Sequence, residues 1–376
     1  MSIAILSANT GSRHVSVMKT IEAEFEKQNF HDICAYPSFY EDIHYSNKLL
    51  SNFYNYMITL SQIELVAKYY ELLAKERFDL DQDYYQESRE KLLKLVSING
   101  LQAIISTCPF INGNIIRILK ETGLTEMIPF YIVVTDPFDP IVAGFKVAGA
   151  KRYFCATEVV KEILAMAGNE GIQVIGYPVP GKFNKKYSST EKEHIYEIIG
   201  LYSDRPTILL NSGALGSTHY FELLKVLAEY DGYCQIIILC GINKTLYRMS
   251  CRLQEQNRQV VIKVLSYVDN INEILQISDI VITKAGANAF YECLYSETPM
   301  IIDGIHGFMY HEQGVVDYLR DYGVGVVLND SCDLFDLLYY SFCNKENIKR
   351  NIRNLNLQNG TSKIVSTILD DIYHTK

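Results

Sequence analysis

The stretch Ile282-Thr-Lys-Ala-Gly-Ala-Asn-Ala-Phe-Tyr-Glu292-Cys-Leu-Tyr-Ser-Glu-Thr-Pro299 decides the fold. It reads as the end of a buried strand, Ile280 to Thr283, then a small-residue turn, then a helix carrying one acid. The first N–H groups of that helix, around Gly286 to Ala289, have no partner inside it and suit a diphosphate. Glu292, one turn further on, is placed to accept hydrogen bonds from ribose hydroxyls. A strand, a small-residue turn and a helix occur in many α/β proteins, so the companions of this segment carry the decision.

Outward from this segment, short β-branched runs alternate with amphipathic stretches along most of the chain. That alternation is the mark of parallel strands buried by helices on both faces. One series of strands is expected near Ser2 to Ser7, Asp32 to Tyr36, Ala103 to Ser106, Phe130 to Thr135, Arg152 to Ala156 and Val174 to Ile175. A second comprises Thr207 to Asn211, Gln235 to Cys240, Val260 to Val264, Ile280 to Thr283, Met300 to Asp303 and Val324 to Leu328. Between them Tyr177-Pro-Val-Pro-Gly-Lys-Phe183 and the polar stretch Asn184 to Glu193 read as a connection. The pattern predicts an α/β protein of two Rossmann-like, doubly wound domains facing across a cleft, over residues 1–180 and 181–355. A C-terminal helix over 356–376 is expected to cross back to the first domain.

The 376 residues allow two such cores, and 48% of them are apolar. No apolar run is long enough to cross a bilayer, and Met1-Ser-Ile-Ala-Ile-Leu-Ser-Ala8 shows no leader pattern, so a cytoplasmic or membrane-peripheral protein is expected. The nine cysteines show neither zinc-finger spacing nor an even count. A formal charge of -9 argues against nucleic acid as a partner. Residues 45–77 break the alternation. They are helical in pattern, rich in Tyr and interleaved with Lys48, Lys68, Lys75 and Arg77, which fits either an interfacial membrane segment or a half-buried cap.

Two further turns repeat the logic of the first. Ser7-Ala-Asn-Thr-Gly-Ser-Arg-His14 follows the first strand, with a helix expected over Val15 to Phe25 and His14 at the loop where a carboxyl-end cleft opens. Histidine is the side chain best suited to take a proton near neutral pH. Ile208-Leu-Leu-Asn-Ser-Gly-Ala-Leu-Gly-Ser-Thr218 offers Gly213 and Gly216 for close backbone approach, with Ser217 as a hydroxyl. Ile305-His-Gly-Phe-Met-Tyr-His-Glu-Gln-Gly314 carries Glu312 and Gln313, suited to sugar hydroxyls.

Residues 7–14 resemble the Ser-Ala-Ser-Thr-Gly-Gly-Gly-His loop, and residues 282–292 the Ile-Thr-Lys-Ala-Gly-Pro-Gly-Thr-Ile-Ala-Glu segment, of a group of GT-B glycosyltransferases. These are the monogalactosyldiacylglycerol synthases and processive diacylglycerol glucosyltransferases, relatives of the enzyme that glycosylates lipid I. Tyr267-Val-Asp-Asn-Ile271 is similar to the group's loop near the nucleotide base, and His311-Glu-Gln-Gly314 to its sugar-binding turn. The resemblance implies an inverting transfer from a UDP-sugar to a membrane lipid, diacylglycerol or a related one, with no cofactor and no metal. It makes His14 the base, and Gly11, Ser12 and Asp136 acceptor-side residues. It also makes Gly213, Gly216, Ser217, Val268, Lys284, Gly286, Ala287, Asn288, Ala289, Glu292, Glu312 and Gln313 the donor site. Ser12 and Arg13 stand where the group has two glycines, and the stretch after Asp136 lacks a histidine the group often has. The same architecture also serves UDP-N-acetylglucosamine 2-epimerases, and a non-catalytic nucleotide-sugar-binding subunit is a third reading.

Overall fold

The computed structural model describes residues 2–75, 82–230 and 233–374. Arg77 of the aromatic segment and Lys376 of the tail lie outside them. The chain forms two compact units. One comprises Met1–Tyr54, Lys68–Gly181 and Gln358–Lys376; the other comprises Asn55–Ala67 and Lys182–Leu357.

The first unit is built on β1 (Ser2–Leu6), β2 (Ile33–Tyr36), β3 (Leu101–Ser106), β4 (Phe130–Val133), β5 (Arg152–Cys155) and β6 (Ile172–Val174). Their order is β2-β1-β3-β4-β5-β6, and all neighbours are parallel. The direction of winding reverses between β1 and β3, and the loops that leave such a switch point at its carboxyl end diverge and open a crevice. The C-terminal helix Thr361–His374 belongs to this unit. It buries Ile364, Val365 and Ile368, and Asp371 receives Arg152 in a two-pronged pair at 2.5 and 2.6 Å.

The second unit holds β7 (Thr207–Asn211), β8 (Gln235–Leu239), β9 (Val261–Leu265), β10 (Ile280–Thr283), β11 (Met300–Asp303) and β12 (Gly325–Leu328). Their order is β12-β11-β10-β7-β8-β9, again parallel, and the switch point falls between β7 and β10. Every residue of β7, β8 and β10 is buried, which is why these strands read as unbroken apolar runs. Thr283 pairs with Asn211 at the strand ends, so the turns after β7 and β10 leave the sheet side by side.

Two local expectations change. Residues 45–77 are not one helix: Tyr45–Thr59 and Ile63–Lys75 are separated by a turn in which Ser61 takes φ 61°. The polar stretch Asn184 to Glu193 is not wholly a connection, because the helix Ser189–Ile199 starts within it. Ser188 and Glu191 form a reciprocal cap there and satisfy the first free N–H groups.

Candidate active site

In the second unit both glycines of the turn after β7 take positive φ, and at Gly216 nothing larger fits. Gly216 has φ 77°, and a Cβ on it would lie 2.1 Å from the Cys240 carbonyl oxygen. Gly213, at φ 79°, donates its N–H to Asn211 Oδ1 at 3.1 Å. The neighbouring turn after β10 opens the helix Ala287–Ser296 with Gly286 as its cap residue, and no side chain caps the first N–H groups. The stem of Lys284 crosses both turns: a Cβ at Gly286 would stand 3.2 Å from Lys284 Cε, and one at Gly213 3.6 Å from it. Lys284 is exposed. Uncapped amide donors, glycine turns and an ammonium group together make a site for a diphosphate.

Glu292, one turn along the same helix, is half-buried, and no described residue hydrogen-bonds to its carboxylate. Burial raises it to about 7, with Lys182 opposing. Lys182 also donates to the Asp269 carbonyl in the loop after β9, beside half-buried Val268. Lys182 lies in the stretch expected to connect the domains, and nothing in its local sequence signals this place. Asn288 and Ala289 are half-buried in the first turn, while Ala287 is buried. Glu312 is buried and accepts the Met309 N–H at 3.1 Å, with Oε1 3.9 Å from where a Gly286 Cβ would be. Gln313 is exposed and turned to Asp317 at 3.0 Å, so it does not join this group.

Ser217 is engaged elsewhere. Its hydroxyl lies 2.6 Å from that of Ser61, which also accepts the His219 N–H at 2.9 Å, while the Thr59 carbonyl accepts the Thr218 N–H at 3.0 Å. The turn between the two aromatic helices thereby caps the helix Tyr220–Ala228. Its N-terminus is satisfied by protein, whereas Gly286 gives Ala287–Ser296 no capping side chain.

In the first unit His14 is not a loop residue. It is the second residue of the helix Arg13–Lys27 and only 2% exposed. Its Nδ1 lies 2.8 Å from the Thr107 carbonyl oxygen, which can only accept, and 3.1 Å from Thr135 Oγ1. Nδ1 therefore carries the hydrogen, and Nε2 is the basic atom. Burial first, and the Arg13 cation second, lower His14 to about 3, so the imidazole is neutral at physiological pH. Asp136 is wholly buried and stands 2.7 Å from Arg13, its other oxygen accepting the Val142 N–H at 3.0 Å. Its carboxylate is thus occupied within the unit. Gly11 has φ 67° and lies under the Tyr54 ring, and Ser12 is exposed.

The loop before His14 is held by a residue that the sequence did not single out. Buried Glu41 accepts the Asn9 N–H at 2.9 Å and the Ser51 hydroxyl at 2.6 Å through one oxygen, with the Thr10 hydroxyl 3.4 Å away. Among the described residues no three His, Cys, Asp or Glu side chains are grouped to hold a metal ion.

Comparison with known proteins fits this arrangement. Residues 218–329 match the Glycosyltransferase family 28 C-terminal domain. The chain is 27% identical to the processive diacylglycerol beta-glucosyltransferase of Bacillus pumilus, over 98% of this chain and 94% of that one. It is 25% identical to the enzyme of the same name from Bacillus subtilis, over 98% and 95%. The chain is a GT-B glycosyltransferase. Two solved structures share the fold of this glycosyltransferase. MurG of Acinetobacter baumannii does so with TM-score 0.62 and 14% identity, over 98% of this chain and 99% of that one. The UDP-GlcNAc 2-epimerase of Neisseria meningitidis bound to UDP-GlcNAc does so with TM-score 0.60 and 12% identity, over 98% and 99%. The matched family domain spans the turn after β10, with the helix that Gly286 opens and half-buried Glu292.

Proposed function

We propose that the protein transfers a sugar from a UDP-sugar to the hydroxyl of a membrane lipid, diacylglycerol or a related one, with inversion at the anomeric carbon. The observation that carries this is the turn after β10. Its helix N-terminus without a capping side chain, exposed Lys284 and half-buried Glu292 offer a diphosphate two kinds of positive partner and a ribose one acceptor. Negative charge develops on the diphosphate as the glycosidic bond breaks, so donors fixed before the reaction stabilise the transition state more than the ground state. No metal is needed in this scheme. In the first unit His14 takes the acceptor proton through Nε2, its ring orientation fixed by Thr107 and its neutral form present across the physiological range.

The lipid reading rests on the helix Tyr45–Thr59. Tyr45, Leu49, Phe53 and Tyr56 recur at steps of four, four and three, so they line one face, and all are exposed, as are Lys48 and Lys68. An apolar stripe with Lys48 on the same helix and Lys68 exposed on the next is suited to a bilayer interface with anionic lipid. No helix among the described residues is long and apolar enough to cross a membrane. The names of the Bacillus relatives give diacylglycerol as the acceptor class to try first.

The test is transfer from a panel of UDP-sugars into diacylglycerol in anionic mixed micelles, with the anomeric configuration of the product read by NMR. A β-glycolipid from one UDP-sugar is the expected result. UDP binding without any lipid product would refute this acceptor class.

A further inference from the structure

The reading of His14 as base leaves Arg13 and Asp136 unexplained. Arg13 is the first residue of its helix, where a cation opposes the helix dipole, and it stands beside the imidazole. Its guanidinium faces Asp136 at 2.7 Å, with the side chains 13% and 0% exposed, and has Tyr54, Tyr70 and Tyr177 around it. Two consecutive residues after β4 hold two consecutive residues of the helix: Asp136 holds Arg13, and Thr135 lies 3.1 Å from His14 Nδ1. The second oxygen of Asp136 is fixed by the Val142 N–H.

We propose that Arg13 and Asp136 are a positioning pair for His14: the ion pair seats the first turn of the helix, and Asp136 offsets part of a cation that opposes proton uptake by the imidazole. This rests on the base assigned above. The charged and titratable groups concerned are few. His14 faces Arg13, the Thr107 carbonyl and the Thr135 hydroxyl; Arg13 faces Asp136, the three tyrosines and the buried Cys108 thiol; Asp136 faces Arg13, Tyr70 and the Val142 N–H. Burial pushes Asp136 upward while Arg13 and Val142 oppose this, and Asp136 together with the three tyrosines outweighs the burial that disfavours the Arg13 charge. A buried pair of this kind is damaged most by removing one member and least by removing both. That asymmetry makes the proposal testable.

The experiment compares the parent with Arg13→Gln, Asp136→Asn and the double variant. Glycolipid formation is followed against pH, and the His14 ring is titrated by NMR with ¹³C-labelled histidine, assigned through His14→Gln. Circular dichroism and the midpoint of thermal unfolding check the fold of each. Asp136→Asn is expected to lower kcat by about tenfold or more with little change in KM, and the double variant to recover most of that loss. In Arg13→Gln the titration midpoint of His14 is expected to rise by about one pH unit, because a neighbouring cation has gone. A double variant no better than Asp136→Asn, or an unmoved His14 midpoint in Arg13→Gln, would overturn the proposal. If Asp136→Asn does not fold, the His14 midpoint in Arg13→Gln decides. If the parent makes no glycolipid, the acceptor reading fails, while the NMR titration still judges the pair.

Discussion

The turn that opens Arg13–Lys27 and the turn that opens Ala287–Ser296 are the same device, a strand end feeding a helix at a switch point, finished in opposite ways. In the first, Asn9 and Ser51 are held by Glu41, Arg13 is held by Asp136, and His14 is held by Thr107. In the second, Gly286 brings no cap, Lys284 is exposed and, among the described residues, none hydrogen-bonds to the Glu292 carboxylate. On the function proposed above, the first turn holds the base in place before a substrate arrives, and the second, with no capping side chain at its helix start, receives the donor. Under that reading one turn serves chemistry and the other binding, and each can be broken separately.

The largest effect is expected at His14. Replacement by Ala should lower kcat by about 10²–10⁴-fold, the usual range for a general base, while the donor KM changes little. A steady-state measurement with saturating lipid checks both parameters.

Glu292 comes next, and it carries a pH signature. Its carboxylate is the form that accepts ribose hydroxyls, and burial raises it to about 7, so donor affinity should strengthen as pH rises through that value. The fold responds in the opposite sense. A carboxyl raised above its ordinary value contributes stability below about 4.5 that is lost as pH rises toward 7. Glu292→Gln should flatten both trends and weaken UDP binding by about 10-fold, the worth of a charge-assisted hydrogen bond. Calorimetric titration of UDP from pH 6 to pH 8, roughly one unit either side of the expected midpoint, would expose the difference.

Smaller effects belong to the scaffold. Gly216→Ala meets the Cys240 carbonyl and an unfavourable φ, and should cost about 1–3 kcal/mol in denaturant unfolding. Ser61→Ala removes the hydroxyl that accepts the His219 N–H, and should cost about 1 kcal/mol, the typical value of a lost helix cap.

The two turns also differ in how far the sequence disclosed them. Strands such as β7, β8 and β10 were legible because burial on both faces demands unbroken apolar runs, and the fold class follows from their alternation with helices. The turn after β10 was equally legible, since it is made of contiguous small residues and one acid at helical spacing. The first turn was legible only in part. His14 stood out by type, but Glu41 and Asp136 act across tertiary contacts that no local pattern encodes. Ser217 read as a donor ligand because its partner Ser61 lies 156 residues away. The break at Ser61 was missed because neither Gly nor Pro marks it, and a serine adopts the left-handed conformation there.

The division of labour between the turns is tested most directly by titrating UDP onto His14→Ala and Glu292→Ala side by side with the parent. The predicted result is parental affinity in His14→Ala and weakened affinity in Glu292→Ala. Loss of UDP binding in the His14 variant, or parental binding in the Glu292 variant, would contradict it.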